Sequence, residues 1–510
     1  MTSYKRAGLG RIVLAFCAAG LIALAGCDKG PDREEVAAQL KADVETQLKQ
    51  VEGGSGRDVV SHSAVTVTPQ DDDLYLVAIE GLKFQPEPEG YLDIGTISYL
   101  AKPRDEKSYD ISGLKVAETM PFKGTDGAER GKLTLTTKAF SGVWSRELGV
   151  FEKLEGEFAD VSATDDRGGD VRAANIKFNG GLTDKGDGLF DSVSNVVLSG
   201  LAAKDTENGL FTVSETRLDA KYDSLKLKDY QAAATKYQEL MMKQLAAQKQ
   251  ASGTTGQPAT ALTPEEEKAM AEAVTAMAKS IKGGDFKLAL SGLKYADGGE
   301  EPFSMASFTL GSAIDGVNQP KATLGFDLAY QDLVVASEEM AGPVQQASLP
   351  KTGNLGFKIT ELPGQDLMKV LTDNLPGMMS ADHALAEANA MAMLVALQAV
   401  FQSSGAKIEV TPSQLAAQLV NLKADGSFNV TPQAMWGVVG ALNVAITGMD
   451  DLMALAQQTP DDYNAQQAIG SIEMLKQYSA REEGADGKPV DKFKLEVNEG
   501  GQVLINGKPM

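Results

Sequence analysis

Regular alternation of apolar and polar residues is the feature that most limits how this chain can fold. From Val59 to Leu227, segments such as AVTVTPQDDDLYLVAIEGLKF, GKLTLTTKAF and SNVVLSGLAAKD alternate with a period of two and are interrupted by Gly, Asp and Asn. Because successive side chains of a strand point to opposite faces of a sheet, this pattern predicts antiparallel strands with one apolar and one hydrated face. DFKLALSGLKYADGG, FSMASFTLGSAID and KATLGFDLAYQDLVVAS predict further strands later in the chain.

A short motif, apolar-x-Gly-Leu, recurs within these strand-like segments. Its copies are Ile79–Leu82, Ile111–Leu114, Leu198–Leu201 and Leu290–Leu293, with Ile446–Met449 as a looser copy. A glycine at a fixed place in a strand suggests a β unit that ends in a bulge or bend. The copies are irregularly spaced, so a degenerate repeat and simple β composition both explain them.

Helical patterns separate the strand-like regions. Val36, Leu40, Val44 and Leu48 recur at three- and four-residue steps, and this helix is either a stalk or the first helix of the fold. Thr263-Pro264-Glu265-Glu266 has the cap, proline and acidic first turn that open a helix. Further helices are predicted from about Gly364, at 384–404, at 449–457 and at 461–480, and the last twenty residues predict a hairpin.

Together these patterns predict an α+β protein with an antiparallel β-rich body, elongated or curved, and interspersed helices in two sheet-then-helix halves. The predicted segments are an anchor and N-terminal helix (27–57), an antiparallel β domain (58–227), helices with a flexible linker at 250–262 (228–282), and a second β region with apolar helices and a C-terminal hairpin (283–510).

The first twenty-six residues predict a secretory signal peptide. Lys5, Arg6 and Arg11 precede an apolar run, Ile12 to Ala25, that is shorter than the roughly 20 residues of a membrane span. The run ends in Leu24-Ala25-Gly26-Cys27, which resembles the lipobox of bacterial lipoproteins. By that resemblance Cys27 carries acyl chains that anchor a periplasm-facing protein in a membrane, and more than one chain gives stable anchoring. Asp28 resembles an inner-membrane retention signal, which favours the inner over the outer membrane.

Composition excludes several classes of function. Removal of residues 1–26 would take the formal net charge from −22 to −25, and such an acidic chain is unsuited to binding nucleic acid or anionic head groups. Cys17 would leave with the signal and Cys27 would be blocked, so the mature chain has no disulfide. The only histidines, His62 and His383, lie more than three hundred residues apart and offer few ligands for zinc.

Motif searches also give no catalytic centre or cofactor site. G-x-S-x-G, Walker and H-E-x-x-H motifs are absent from the sequence. Aspartates cluster at 71–73, 165–170 and 184–191, but without the spacing of a calcium loop, so turn formation is the default interpretation. We therefore expect a non-catalytic protein without a metal or cofactor.

The closing segment, Gly501 to Pro509 (GQVLINGKP), resembles a terminal signature of uncharacterised proteobacterial envelope proteins related to YdgA and AsmA. Those relatives commonly have an uncleaved membrane helix, whereas this chain has a lipobox. The resemblance implies a role in envelope maintenance, such as binding or passing lipids along a β-lined groove.

Two hypotheses of function follow. In the first, an apolar sheet face binds a lipid or another apolar ligand, and the 384–404 helix is its lid. In the second, the chain is a scaffold that binds an envelope protein partner and has a closed core. Met391 and Met393 fit either a helix that lines an adaptable groove or, as is more common, a helix buried in a core.

Overall fold

The computed structural model describes ten segments of the chain. They are residues 33–53, 60–87, 90–166, 168–204, 209–252, 262–336, 342–378, 383–459, 462–484 and 487–509. The predicted signal peptide, Cys27 and Asp28 therefore lie outside the described residues. The contacts divide the chain into an N-terminal unit, which ends at Ile281 and also includes His383, and a C-terminal unit, which holds Lys282–Met378 and the chain from Ala384.

The described strands of the N-terminal unit all pair antiparallel, mostly with neighbours in sequence, while β4 also pairs with β6 and β5 with β7. They are β1 (Val60–Ser61), β2 (Ala64–Pro69), β3 (Tyr75–Glu87), β4 (Gly90–Pro103), β5 (Ser108–Lys115), β6 (Thr119–Gly124), β7 (Glu129–Ser145), β8 (Val150–Asp165), β9 (Asp170–Gly186), β10 (Leu189–Lys204) and β11 (Leu210–Lys226).

A helix covers part of this sheet's apolar face. In α1 (Arg33–Gly53), Leu40, Val44 and Leu48 lie on one side because they follow three- and four-residue steps, and none of them is exposed. They belong to one buried cluster with strand residues that include Ile79 and Trp144. The N-terminal helix is therefore the first helix of the fold, and the stalk interpretation is wrong for the described residues.

Two more helices of this unit, α2 (Leu227–Ser252) and α3 (Pro264–Lys279), pack through Leu240, Leu262 and Met270. The predicted start of α3 is confirmed: the Thr263 hydroxyl accepts from the Glu266 N–H, and the Glu266 carboxylate accepts from the Thr263 N–H. Of the linker predicted at 250–262, residues 253–261 lie outside the described residues; at its two ends α2 continues to Ser252 and Leu262 is buried.

The strands of the C-terminal unit are also antiparallel, and the main succession of pairs is β12, β13, β14, β16, β17, β18, β19 and β21. They are β12 (Gly283–Asp297), β13 (Glu300–Asp315), β14 (Ala322–Gln331), β15 (Val334–Val335), β16 (Thr352–Leu362), β17 (Lys407–Ala416), β18 (Asn421–Val430), β19 (Val438–Thr447), β20 (Ala480–Glu483), β21 (Pro489–Val497), β22 (Val503–Ile505) and β23 (Lys508–Pro509).

The helices of this unit agree closely with the sequence prediction. They are α4 (Pro343–Ser348), α5 (Gly364–Met378), α6 (His383–Ser403), α7 (Met449–Gln457) and α8 (Tyr463–Tyr478). The C-terminal hairpin is confirmed by the pairing of β21 with β22. The antiparallel, β-rich α+β architecture is thus confirmed, while α4 and the strands β16, β17 and β20 were not predicted.

The recurring apolar-x-Gly-Leu motif has one backbone conformation. Gly81, Gly113, Gly200 and Gly292 have φ between 59° and 62°, in the left-handed region that favours glycine. The strand register shifts beside Gly81 and Gly113 but stays continuous across Gly200 and Gly292. The predicted bulge is therefore present in two copies, and the other two keep the ladder in register.

Candidate functional site

One face of the C-terminal sheet carries rows of apolar side chains that cross several strands. Leu288, Leu310, Leu328 and Leu355 are successive cross-strand partners on β12, β13, β14 and β16. Directly paired residues share a sheet face, so the four leucines form a continuous row.

Two further rows flank the leucines on the same face. On one side, Leu290 pairs with Phe308 and Phe308 with Tyr330. On the other side, Phe326 pairs with Phe357, which pairs with Val410 of β17. We call these residues the apolar face: Phe286, Leu288, Leu290, Phe308, Leu310, Phe326, Leu328, Tyr330, Leu355, Phe357 and Val410.

Aromatic contacts fix part of this surface. The rings of Phe326 and Phe357 are stacked, with 5.4 Å between their centroids and 25° between their planes. The Tyr330 ring lies against the backbone of Gly353, where an added Cβ would come within 2.5 Å of the ring. Partial burial raises the pKa of the Tyr330 phenol above its ordinary value.

The opposite face of the same strands is polar. Thr309 and Asp327 alternate with the leucines of their strands, and Lys287, Asn354 and Lys358 are exposed. A sheet with this alternation normally packs its apolar side against another layer and leaves the polar side in water. The apolar face should therefore have a partner.

The apolar face is largely uncovered within the described residues. Leu355 and Phe357 are 42% and 38% exposed, and none of the large side chains that define the face is fully buried. Single exposed leucines are common on protein surfaces, but a contiguous apolar patch marks a binding surface or an aggregation site.

The helices of this unit cover other parts of the sheet. Leu367 of α5 and Phe401 of α6 pack with Leu324 and Ile359, where β14 begins and β16 ends. Helices α4, α7 and α8 pack on Val444 of β19 and Phe493 of β21. The leucine row belongs to neither of these clusters.

Helix α6 is apolar on nearly all sides yet contributes no buried residue between positions 387 and 403. Phe401 is partly buried against the sheet, whereas Met391 is 61% exposed. The interpretation of this helix as core is wrong: an apolar helix is usually buried, but the described residues supply no second layer over it.

The residues that the sequence singled out for chemistry do not form a common centre. His62 lies between β1 and β2, and His383 is the first residue of α6. The aspartate clusters close turns: Asp165 accepts from the Gly169 N–H and Asp184 from the Gly186 N–H. Across the described segments, no group of three His, Cys, Asp or Glu residues is arranged to hold a metal ion. Cys27 and Asp28 lie outside these segments.

A separate groove of about 600 Å³ lies between α2 and α3 of the N-terminal unit. Alanines of both helices line the groove together with the charged residues Lys226, Lys236, Asp229 and Glu272. The lining therefore combines small apolar side chains with charges of both signs. The groove offers less to an apolar ligand than the apolar face does.

Of the helices in the described segments, none has both the length and the apolar character that a membrane span requires. Comparison of the chain with known protein families, with curated proteins and with solved structures finds no match.

Proposed function

We propose that this protein is a non-catalytic envelope lipoprotein that binds the acyl chain of a lipid on the apolar face. The observation that carries this proposal is the row of four leucines that stays partly exposed in the middle of an otherwise amphipathic sheet. Covering it removes apolar surface from water, which is favourable by about 25 cal/mol per Å².

The dimensions of the face suit one acyl chain. Five neighbouring strands, from β12 to β17 in pairing order, give a stripe about 19 Å wide at 4.7–4.9 Å per strand spacing. One leaflet of a bilayer's hydrocarbon core is about 15 Å thick, which is half of the full 30 Å. A single acyl chain can therefore lie across the strands along its full length.

Polar groups at the face are few, as expected for a ligand without hydrogen-bonding groups. Two hydroxyl groups lie on this side of the sheet, that of Tyr330 and that of Ser312, which pairs with Phe286 and with Phe326. Ligand pockets with specificity place several polar groups around an apolar floor. We infer that the face selects apolar chains as a class and leaves the head group in water.

Anchoring and location complete the proposal. Cys27 would carry the acyl anchor and Asp28 would favour the inner membrane, so the body would face the periplasm beside a source of lipid. The weak resemblance to AsmA-like envelope proteins supports the same role. We also propose a curved sheet and two sheet-then-helix halves, because the glycine motif has the same φ in both units.

Photo-crosslinking of the full chain in cells tests the binding site. A photoreactive amino acid at Leu355 would face the proposed ligand, and the same residue at Asn354 is a matched control, because the two neighbours are exposed on opposite faces of β16. We expect lipid adducts at position 355 and none at 354, as measured by mass spectrometry.

The other results of this experiment decide against lipid binding. A protein adduct at position 355 would favour the alternative, a scaffold that docks an envelope protein on the same face. Equal labelling at both positions, or no adduct at either, would contradict the proposed site.

A further inference from the structure

A second apolar surface lies on the outer side of α6. Met391, Leu394 and Val395 follow three- and four-residue steps, so they share one side of the helix, and they are 61%, 56% and 62% exposed. Gln402 continues this side, eleven residues after Met391. The helix contains a single Asp, Glu, Lys or Arg in twenty-one residues, Glu387.

An exposed tryptophan continues this surface beyond the end of α6. Gly437 lies against Gln402, because a Cβ on Gly437 would be 3.4 Å from the Gln402 Cγ. The adjoining turn presents Met435 and Trp436, which are among the most exposed large apolar side chains of the described residues. We call Met391, Leu394, Val395, Met435 and Trp436 the outer stripe.

Hydrogen bonds hold the turn of the outer stripe in place. The Trp436 Nε1–H donates to the Gly501 carbonyl at 2.6 Å, and the Met435 N–H donates to the Glu499 carbonyl at 3.1 Å. Indole has one donor, which this bond satisfies. Trp436 can therefore enter an apolar phase without leaving a buried donor unpaired, the usual cost of moving an indole out of water.

We propose that the outer stripe docks on the surface of a lipid bilayer, with Trp436 at the level of the head groups and the α6 side chains at the acyl boundary. Tryptophan is enriched at membrane interfaces because its ring is apolar and its N–H is polar. The predicted anchor at Cys27 would keep the chain at a membrane and so raise the local concentration of that surface.

Charge favours a bilayer over a second copy of the chain as the occupant. Each copy has a formal net charge of −22, and like charges of this size oppose association of an uncharged patch with itself. A zwitterionic bilayer has no net charge and does not repel the chain. The absence of Lys and Arg from α6 also indicates that docking depends on apolar contact and not on anionic lipids.

This inference goes beyond the proposed function, because it concerns the outer side of α6 and holds even if no lipid binds the sheet. The two tryptophans of the chain provide the test. Trp436 is 61% exposed, while Trp144 is fully buried in the core of the N-terminal unit and serves as an internal reference.

The full chain would be reconstituted in phosphatidylcholine vesicles with plain acyl chains or with acyl chains brominated close to the glycerol ester, since bromine quenches an indole that it contacts and this end of the chain lies nearest to the head groups. We expect brominated lipid to quench part of the emission, and Trp436→Phe to abolish the quenching and leave only Trp144. The double variant Leu394→Asn with Val395→Asn should also lose the quenching, while a photoreactive group at Leu355 still captures lipid.

Four outcomes would overturn the proposal. The first is unchanged emission in brominated vesicles that carry the protein, and the second is quenching that persists in the Leu394→Asn, Val395→Asn variant. The third is a shift of Trp436 emission with protein concentration in the absence of vesicles, which would assign the stripe to contact between copies. A chain that does not float with vesicles also contradicts bilayer docking.

Discussion

Both units place apolar side chains on one face of an antiparallel sheet, but that face is buried under a helix in one unit and partly exposed in the other. In the N-terminal unit α1 lies on the sheet, and Leu40, Val44 and Leu48 are completely buried. In the C-terminal unit the leucine row has the same chemistry but stays partly exposed. Within the described segments the leucine row has no second layer comparable to α1, so its exposure does not come from a less apolar sheet.

The largest expected effect tests this difference directly. Leu40→Ala deletes a fully buried side chain and should cost about 3–5 kcal/mol, whereas Leu310→Ala deletes a partly exposed one and should cost about 1 kcal/mol. Urea denaturation read by hydrogen exchange in peptides of β3 and of β13 would measure each unit separately. Equal costs would show that the apolar face is covered in solution.

The next largest effect concerns the left-handed glycine of the apolar-x-Gly-Leu motif, which both units contain. Gly200 in the N-terminal unit and Gly292 in the C-terminal unit have φ of 62° and 59°, so alanine at either position should cost about 1–2 kcal/mol through left-handed strain. The matched control is Gly470→Ala in α8, where open space and helical geometry predict a gain of up to about 1 kcal/mol.

Hydrogen exchange in peptides of β10, β12 and α8 would measure these three changes. A neutral Gly292→Ala beside a costly Gly200→Ala would break the equivalence of the two motif copies. It would also remove the support that the motif gives to two related halves.

The sequence predicted where helices begin and end better than it predicted which of their side chains are buried. The start of α3 was predictable because its cap is built from adjacent residues, Thr263 to Glu266. The exposure of α6 was not, because an apolar helix carries the same composition whether it is buried or uncovered.

The apolar face illustrates the same limit for the candidate site. Its leucines, Leu288, Leu310, Leu328 and Leu355, are spread over sixty-eight positions and become one row only through the register of four strands. The pattern of period two predicts that each strand has an apolar side, but pairing registers depend on contacts that are distant in sequence. The lipobox, by contrast, is wholly local.

A smaller effect concerns the part of the C-terminal unit that does have a second layer. Asp450 of α7 accepts hydrogen bonds from Arg481 and Lys476, which hold the pKa of its carboxyl below the ordinary value. Asp450→Asn should therefore cost about 1 kcal/mol or less at pH 7, since the pair is well exposed to solvent screening.

The pH dependence of this contribution has a definite sign. A lowered folded pKa means that the stabilisation is present above the unfolded value of 3.8 and is lost as the pH falls through the folded pKa. Hydrogen exchange in peptides of α7 at pH 7 and near pH 3 would measure it, and the difference between the variant and the parent should be smaller at the lower pH. A difference between the two proteins that is equally large at both pH values would assign the effect to packing.

The smallest expected effect is a change in a tyrosine pKa, and it links the comparison of the two units to the proposed lipid binding. Burial raises the pKa of Tyr99, inside the N-terminal core, and of Tyr330, on the apolar face, but Tyr99 is fully buried whereas Tyr330 is only partly covered. A raised tyrosine pKa stabilises the folded state below the unfolded value of 10.0, and this contribution is lost as the pH rises through the folded pKa.

An acyl chain on the apolar face would exclude water from Tyr330 and make its environment more like that of Tyr99. We therefore expect bound lipid to raise the pKa of Tyr330 further, measured as the difference in ultraviolet titration between the parent and Tyr330→Phe with and without lipid. Lipid that binds without moving this difference must lie elsewhere on the molecule, because a ligand in contact with the leucine row cannot leave the neighbouring phenol equally hydrated.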